Sequence, residues 1–233
     1  MEIVGENNTI RIDGSVQSSG FVLGSNNVVI VDPCEKPSRV TIHINGNDNF
    51  VHVVAPAFLD DPIIKIGNRS HPPTNNCVVR IGRHAQFEPS CRFLLDGHGD
   101  KLEIGEDALF ANSVTIRCSD LPHLIFDDAT GEYLSAPGVV IGDHVWIGER
   151  ATLLKRTRIA SGSIVGTFAV VAKPFDTPNV AIAGNPARVI REGVRWFFAP
   201  DFLPDGSQFQ ASYAAHVQQK THPVVAAAET SAA

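Results

Sequence analysis

The stretch VVIGDHVWIGERATLLKRTRIASGSIVGTFAVVA, from Val139 to Ala172, carries an aliphatic residue at every sixth position: Ile141, Ile147, Leu153, Ile159, Val165 and Val171. Four places after each of the first five stands a small or β-branched residue, namely Val145, Ala151, Thr157, Ser163 and Ala169. The residue directly after the aliphatic one is Gly142, Gly148, Leu154, Ala160, Gly166 or Ala172, small in every case but one. A helix repeats at about 3.6 residues and an isolated strand at about 2, so a period of six fits neither. It fits a solenoid with three short flat sides per coil. Each side sends one aliphatic residue inward to stack on its equivalents above and below, and the corners take residues with little side chain.

Upstream the same columns continue in broken form. Ile104, Phe110 and Ile116 keep the period with Ala108 and Val114, and Ile81, Phe87 and Phe93 keep it with Ala85 and Cys91. IGNRS at 66–70 is a further fragment. GENNTIRI from Gly5, GSNNVVIV from Gly24 and GNDNFVHV from Gly46 share a motif spaced by 19 and 22 residues, close to one full coil. Residues 1–75 therefore read as irregular starting coils. The rhythm fails in RCSDLPHLIFDDATGEYLSAPGVV, and the Pro, Asp and Gly turn signals there predict a loop over 117–140 that leaves the coil wall. GNPARVIRE starts as a turn and is expected to end in a short helix. The expected architecture is an all-β parallel β-helix over 1–196 with a protruding loop. A partly helical extension follows over 197–233, with a helical turn or two and a disordered Ala-rich end.

Composition agrees. The 233 residues include one Met and 43% hydrophobic, 19% charged and 7% aromatic residues, within the globular range. The net charge of -6 argues against a nucleic-acid binder, which carries a basic face. No apolar run approaches the ~18 residues of a membrane span, and MEIVGENNTIRIDG lacks the basic start and apolar stretch of a signal peptide. Cys34, Cys77, Cys91 and Cys118 form no CxxC pair, so neither a zinc knuckle nor a disulfide framework is indicated. The economical reading is a cytoplasmic protein with reduced thiols.

VVIGDHVWIG, AIAGNPARVIREGVRW and SDLPHLIFDDATGEYL together resemble the hexapeptide-repeat O-acetyltransferases, in particular the branch that modifies bacterial polysaccharides and their sugar precursors. The resemblance implies a left-handed β-helix, a homotrimer with active sites between subunits, acetyl-CoA as donor and a carbohydrate hydroxyl as acceptor. It places a general base at His123, within the loop. His titrates in the range that suits removing a proton from the attacking hydroxyl and returning it to the departing sulfur. The loop reads Ser119-Asp120-Leu121-Pro122-His123, one residue longer than the family's usual spacing. Asp120 and Asp127 are both candidates to orient the ring. His144 is the rival base.

For the donor, the resemblance points to Trp146 in the cleft, to backbone N–H groups around Gly148 and Glu149 facing the oxyanion, and to Gly166 and Thr167 along the pantetheine arm. Lys173, Arg188 and Arg191 take the positions expected to meet the CoA phosphates. No GxSxG element or nucleophilic cysteine motif is present, which favours direct transfer over an acyl-enzyme. No metal is expected. Two alternatives use the same solenoid. One is a zinc enzyme of the γ-type carbonic anhydrase kind, disfavoured because Glu149 stands where a third histidine would be needed beside His123 and His144. The other is a non-catalytic trimeric scaffold.

Overall fold

The computed structural model describes residues 1–134 and 138–221, and the six-residue columns stack as a parallel β-helix. The first face contains Val16–Leu23, Ser38–Asn45, Arg92–Leu95, Thr115–Arg117, Thr152–Leu153 and Val170–Val171. Thr9–Ile12, Val28–Val31, Phe50–Val53, Val78–Ile81, Lys101–Ile104, Val139–Ile141 and Arg158–Ile159 form the second. The third holds Gln86–Phe87, Leu109–Phe110, Trp146–Ile147, Ile164–Val165 and Ala181–Ala183. Phe58–Ile66 turns from the third face onto the first, with Asp61 in the left-handed region at the bend.

Each face contributes an inward column. On the third it runs Leu59, Phe87, Phe110, Ile147, Val165, Ile182. On the first it runs Ile42, Ile64, Phe93, Ile116, Leu153, Val171. All twelve are buried, and each such side chain stabilises the fold by ~1.5–3 kcal/mol relative to exposure. The small column is equally dry: Val145, Ala151, Thr157, Ser163 and Ala169 are fully buried at the corners. Midway along the axis, the rings of Phe87, Phe93 and Phe110 pack with centroids 4.8–5.8 Å apart, where later coils use aliphatics.

The N-terminal corners are built differently, from a Gly-x-Asn-Asn motif that reads Gly-Asn-Asp-Asn at 46–49. Gly24 sits at φ 121°, and a Cβ there would collide with the Gly46 carbonyl of the next coil. The buried Asn27 donates through Nδ2 to the Gly46 carbonyl at 2.9 Å and accepts the Asn49 N–H at its Oδ1 at 3.1 Å. Asn49 repeats the arrangement one coil on, bonding the Thr74 carbonyl and the Cys77 N–H. These amides satisfy corner groups that lie outside the strand ladders.

Downstream coils advance 18 residues, as between Ile141 and Ile159. The coil carrying the loop takes 37, from Ile116 to Leu153. The segment expected to become a short helix does not. Arg188–Arg191 is a strand, antiparallel to Ala181–Ala183, because the intervening Gly-Asn-Pro turn folds the chain back onto the exposed sheet edge. One compact unit ends at Arg195 and a second begins at Trp196. The second contains a 3-10 turn, Pro200–Phe202, and a helix, Gln208–Thr221, longer than the turn or two expected. The tail beyond 221 lies outside the described residues.

Candidate functional site

Parallel stacking gathers most of the expected donor-site residues onto two neighbouring rungs of the third face. Trp146 lies opposite Ile164, Ile164 opposite Ala181, and Ala181 opposite Arg191. The next row, just past the inward column, holds Gly148, then Gly166, then Ala183, which pairs with Arg188. A Cβ on Gly148 would sit 2.7 Å from the Thr167 N and 2.9 Å from the Gly166 carbonyl carbon, so only glycine fits the stack. Trp146 exposes 37% of its surface, and Arg188 and Arg191 are exposed. The result is a shallow strip of small side chains with an indole at one end and two guanidinium groups at the other. Such a strip admits an extended, mostly apolar chain ending in phosphates.

The two backbone donors differ. The Gly148 N–H is already committed to the Val165 carbonyl at 2.7 Å as part of the sheet ladder. Among the described residues the Glu149 N–H makes no such bond, which leaves it as the donor available to an oxyanion. The Glu149 carboxylate lies 3.5 Å from Arg150. Lys173 is not on the strip. It stands at the corner between the first and second faces, its ammonium 5.2 Å from the Phe175 ring centroid. His144 occupies a corner in the left-handed region at φ 51°.

The loop leaves that same corner, between the first and second faces. His123 is exposed, and its N–H closes a turn on the Asp120 carbonyl at 3.2 Å. Both proposed orienting carboxylates are engaged elsewhere. Asp120 forms an ion pair with Lys155. Asp127 Oδ1 accepts from the Ala129 N–H and from the N–H and hydroxyl of Thr130, which hold its pKa below the usual carboxylate range. Asp127 thus shapes the tight turn that brings Phe126 opposite Tyr133. Lys155 also donates to the Leu134 carbonyl at 3.3 Å, so one ammonium holds both legs of the loop to the coil. Lys155→Met is expected to speed amide exchange across 121–134 about tenfold, as loss of a charge-assisted bond implies, while the coil amides keep their protection. Unchanged exchange in the loop, measured by mass spectrometry, would contradict this.

The thiols are unsuited to attack. Burial pushes Cys77 and Cys91 up to about 12 and Cys118 well above its ordinary value. Among the described residues no group of three His, Cys, Asp or Glu side chains is placed to hold a metal ion, and no helix is long and apolar enough to cross a membrane.

Beside the loop the structure also gathers residues that sequence reasoning did not single out. A cleft of about 670 Å³ opens beside the loop on the first face, lined by Lys65, Arg92, Asp96, Asp100, Arg117 and Ser119 together with loop residues such as Leu124 and Tyr133. These positions are scattered along the chain, and the parallel stacking of Phe58–Ile66, Arg92–Leu95 and Thr115–Arg117 brings them together. The recognised columns hold a partial signal: Arg117 follows Ile116 as Leu94 follows Phe93, which places the two side by side.

Residues 138–173 match the family model described as bacterial transferase hexapeptide (six repeats). The polysialic acid O-acetyltransferase of Neisseria meningitidis is 28% identical over 187 residues, 74% of this chain and 86% of that protein. The galactoside O-acetyltransferase of Escherichia coli K12 is 37% identical over 89 residues, 38% of this chain. The chain spans only 43% of that enzyme's length, and 32% of the length of a further curated relative matched at 39% identity. Among solved structures, the polySia-specific acetyltransferase NeuO superposes with a TM-score of 0.72 at 24% identity, over 93% of this chain and 97% of that one, a likeness of fold.

Proposed function

We propose that the chain, which resembles the hexapeptide-repeat acetyltransferases, transfers an acetyl group from acetyl-CoA to a hydroxyl of a sugar or polysaccharide, with His123 as general base. The observation that carries this reading is the strip on the third face. Its Gly148–Gly166–Ala183 row is flat enough for a pantetheine arm, and Arg188 and Arg191 stand where that arm's phosphates would end. The thioester then lies toward Trp146 and the Glu149 N–H. His123 takes the proton from the attacking hydroxyl, the Glu149 N–H stabilises the tetrahedral oxyanion, and the imidazolium returns the proton as CoA sulfur leaves. Transfer is direct, since the buried cysteines with raised pKa offer no ready nucleophile.

In a triangular prism the edge that bears the loop lies opposite the third face. A neighbouring copy that sets its loop edge against that face completes the site, with His123 and Lys173 from one subunit and Trp146, Gly148, Arg188 and Arg191 from the other. A closed ring of three such heterologous contacts is the proposed assembly. The exposed Leu124, Ile125 and Phe126 at the loop tip suit burial in such a contact.

Arg188→Ala and Arg191→Ala are expected to raise KM for acetyl-CoA by roughly tenfold each while kcat stays near wild type, because phosphate contacts bind ground and transition states alike. Steady-state kinetics with varied acetyl-CoA checks this. A large fall in kcat at unchanged KM would show that the two arginines do not bind the donor.

A further inference from the structure

We propose that Phe168 is a donor-positioning residue: with Arg150 it forms a rim along one edge of the strip on the third face, and its ring packs against the apolar part of the pantetheine arm. The proposal rests on the transferase reading above and adds to it a side chain that holds the donor in place.

The corner between the third and first faces recurs once per coil. Its left-handed position is filled in turn by Ser90, Ser113, Arg150 and Phe168, at φ 66°, 61°, 56° and 59°. Hydrogen bonds stack the last two corners on those before them: the Arg150 N–H donates to the Asn112 carbonyl and the Phe168 N–H to the Glu149 carbonyl, both at 2.9 Å. The corner side chains are short on the first two of these coils and large on the next two. Those are the coils whose Gly148 and Gly166 make the floor of the strip, each two residues before its corner. The change from serine to bulky side chains thus falls at the rungs that the donor would occupy.

Phe168 is the unusual member. Among the described non-glycine residues in the left-handed region it alone is a large apolar side chain; the others are polar or charged, apart from one alanine. That backbone state disfavours a bulky residue far more than Asn or Gly. The ring is also 59% exposed, so core packing does not account for it. Arg150, one coil below, sets its guanidinium 5.5 Å from the ring centroid and 3.5 Å from the Glu149 carboxylate, which restrains the ring from that side. Strained residues that persist in a fold cluster at ligand clamps and active sites. The floor of the strip offers little to hold a ligand laterally, since Gly148, Gly166 and Ala183 carry at most a methyl group. Arg188 and Arg191 would fix only the phosphate end. An aromatic wall at the level of Gly166 supplies the missing apolar contact for the arm between thioester and phosphates.

Calorimetric titration of the full chain with CoA and with ADP, which carries the adenine, ribose and diphosphate of CoA but no pantetheine, tests this. Phe168→Asn introduces a residue type that the chain already holds in the left-handed state at Asn179. CoA affinity in this variant is expected to fall about tenfold while ADP affinity stays at the parent's value. Phe168→Gly should behave alike, so the test does not depend on one variant, and Phe168→Tyr, which keeps the ring, should keep the CoA affinity. The Asn and Gly variants should melt at or above the parent's temperature, because the strain at the corner is relieved. Unchanged CoA affinity in both overturns the proposal, and a shifted oligomeric state at that unchanged affinity would assign the ring to a subunit contact instead. Equal loss of CoA and ADP binding with a lower melting temperature would make Phe168 a structural residue only, which also overturns it. If the parent binds CoA through the ring yet transfers no acetyl group, the rim stands and the transferase reading fails. If transfer occurs and the variants bind CoA as the parent does, the rim alone fails.

Discussion

His123→Ala is expected to lower kcat by ~10²–10⁴-fold, about 3–5 kcal/mol of barrier, with fold, assembly and KM for acetyl-CoA retained. The structural grounds are specific. His123 stands on the one long excursion from the coil, its turn closed by the Asp120 carbonyl and its flanks held through Lys155. Nothing in the core depends on its exposed ring, so the variant should melt as the parent does. His144→Ala is the control: it lies at a coil corner, and substantial activity should remain. Turnover within a few-fold of wild type in His123→Ala, with His144→Ala inactive, would move the base to His144.

Ile147→Asp should prevent stable folding. Ile147 is fully buried between Phe110 and Val165 on the third face, and a carboxylate there would have no cation or hydrogen-bond donor in reach. The expected cost is several kcal/mol, comparable to the whole stability of an ordinary domain. Loss of the cooperative melt followed by circular dichroism, or recovery only as aggregate, is the predicted outcome. A soluble variant with the parent's melting temperature would refute the stacking of the six-residue columns.

The regular coils were legible because nothing interrupts them: from Ile141 to Val171 each hexad makes one side, and each side places one aliphatic residue inward. The first coils blurred that signal by growing to 22 residues between Val29 and Val51 and 28 between Val51 and Val79. Longer strands and side excursions absorb the added residues without disturbing the inward columns. Their Gly-x-(Asn or Asp)-Asn corners remained readable, since a left-handed corner and an amide ladder demand those residue types. Arg188–Arg191 was misread because its turn resembles a helix start, whereas the decisive partner, the open edge of Ala181–Ala183, exists only once the coils are stacked. Asp120 and Asp127 show the same limit: the first is claimed by Lys155, 35 positions away in the chain, and the second by its own turn. The cleft escaped notice because a cationic cluster assembled from three coils has no local motif.

The most direct test of the account is to incubate the protein with acetyl-CoA labelled in the acetyl group, with and without a panel of sugars and oligosaccharides, and to follow the label by mass spectrometry. The account predicts label on a sugar hydroxyl only when both substrates are present, no covalently acetylated protein at any time, and loss of transfer in His123→Ala. Accumulation of a labelled protein intermediate, or full transfer by the His123 variant, would contradict it.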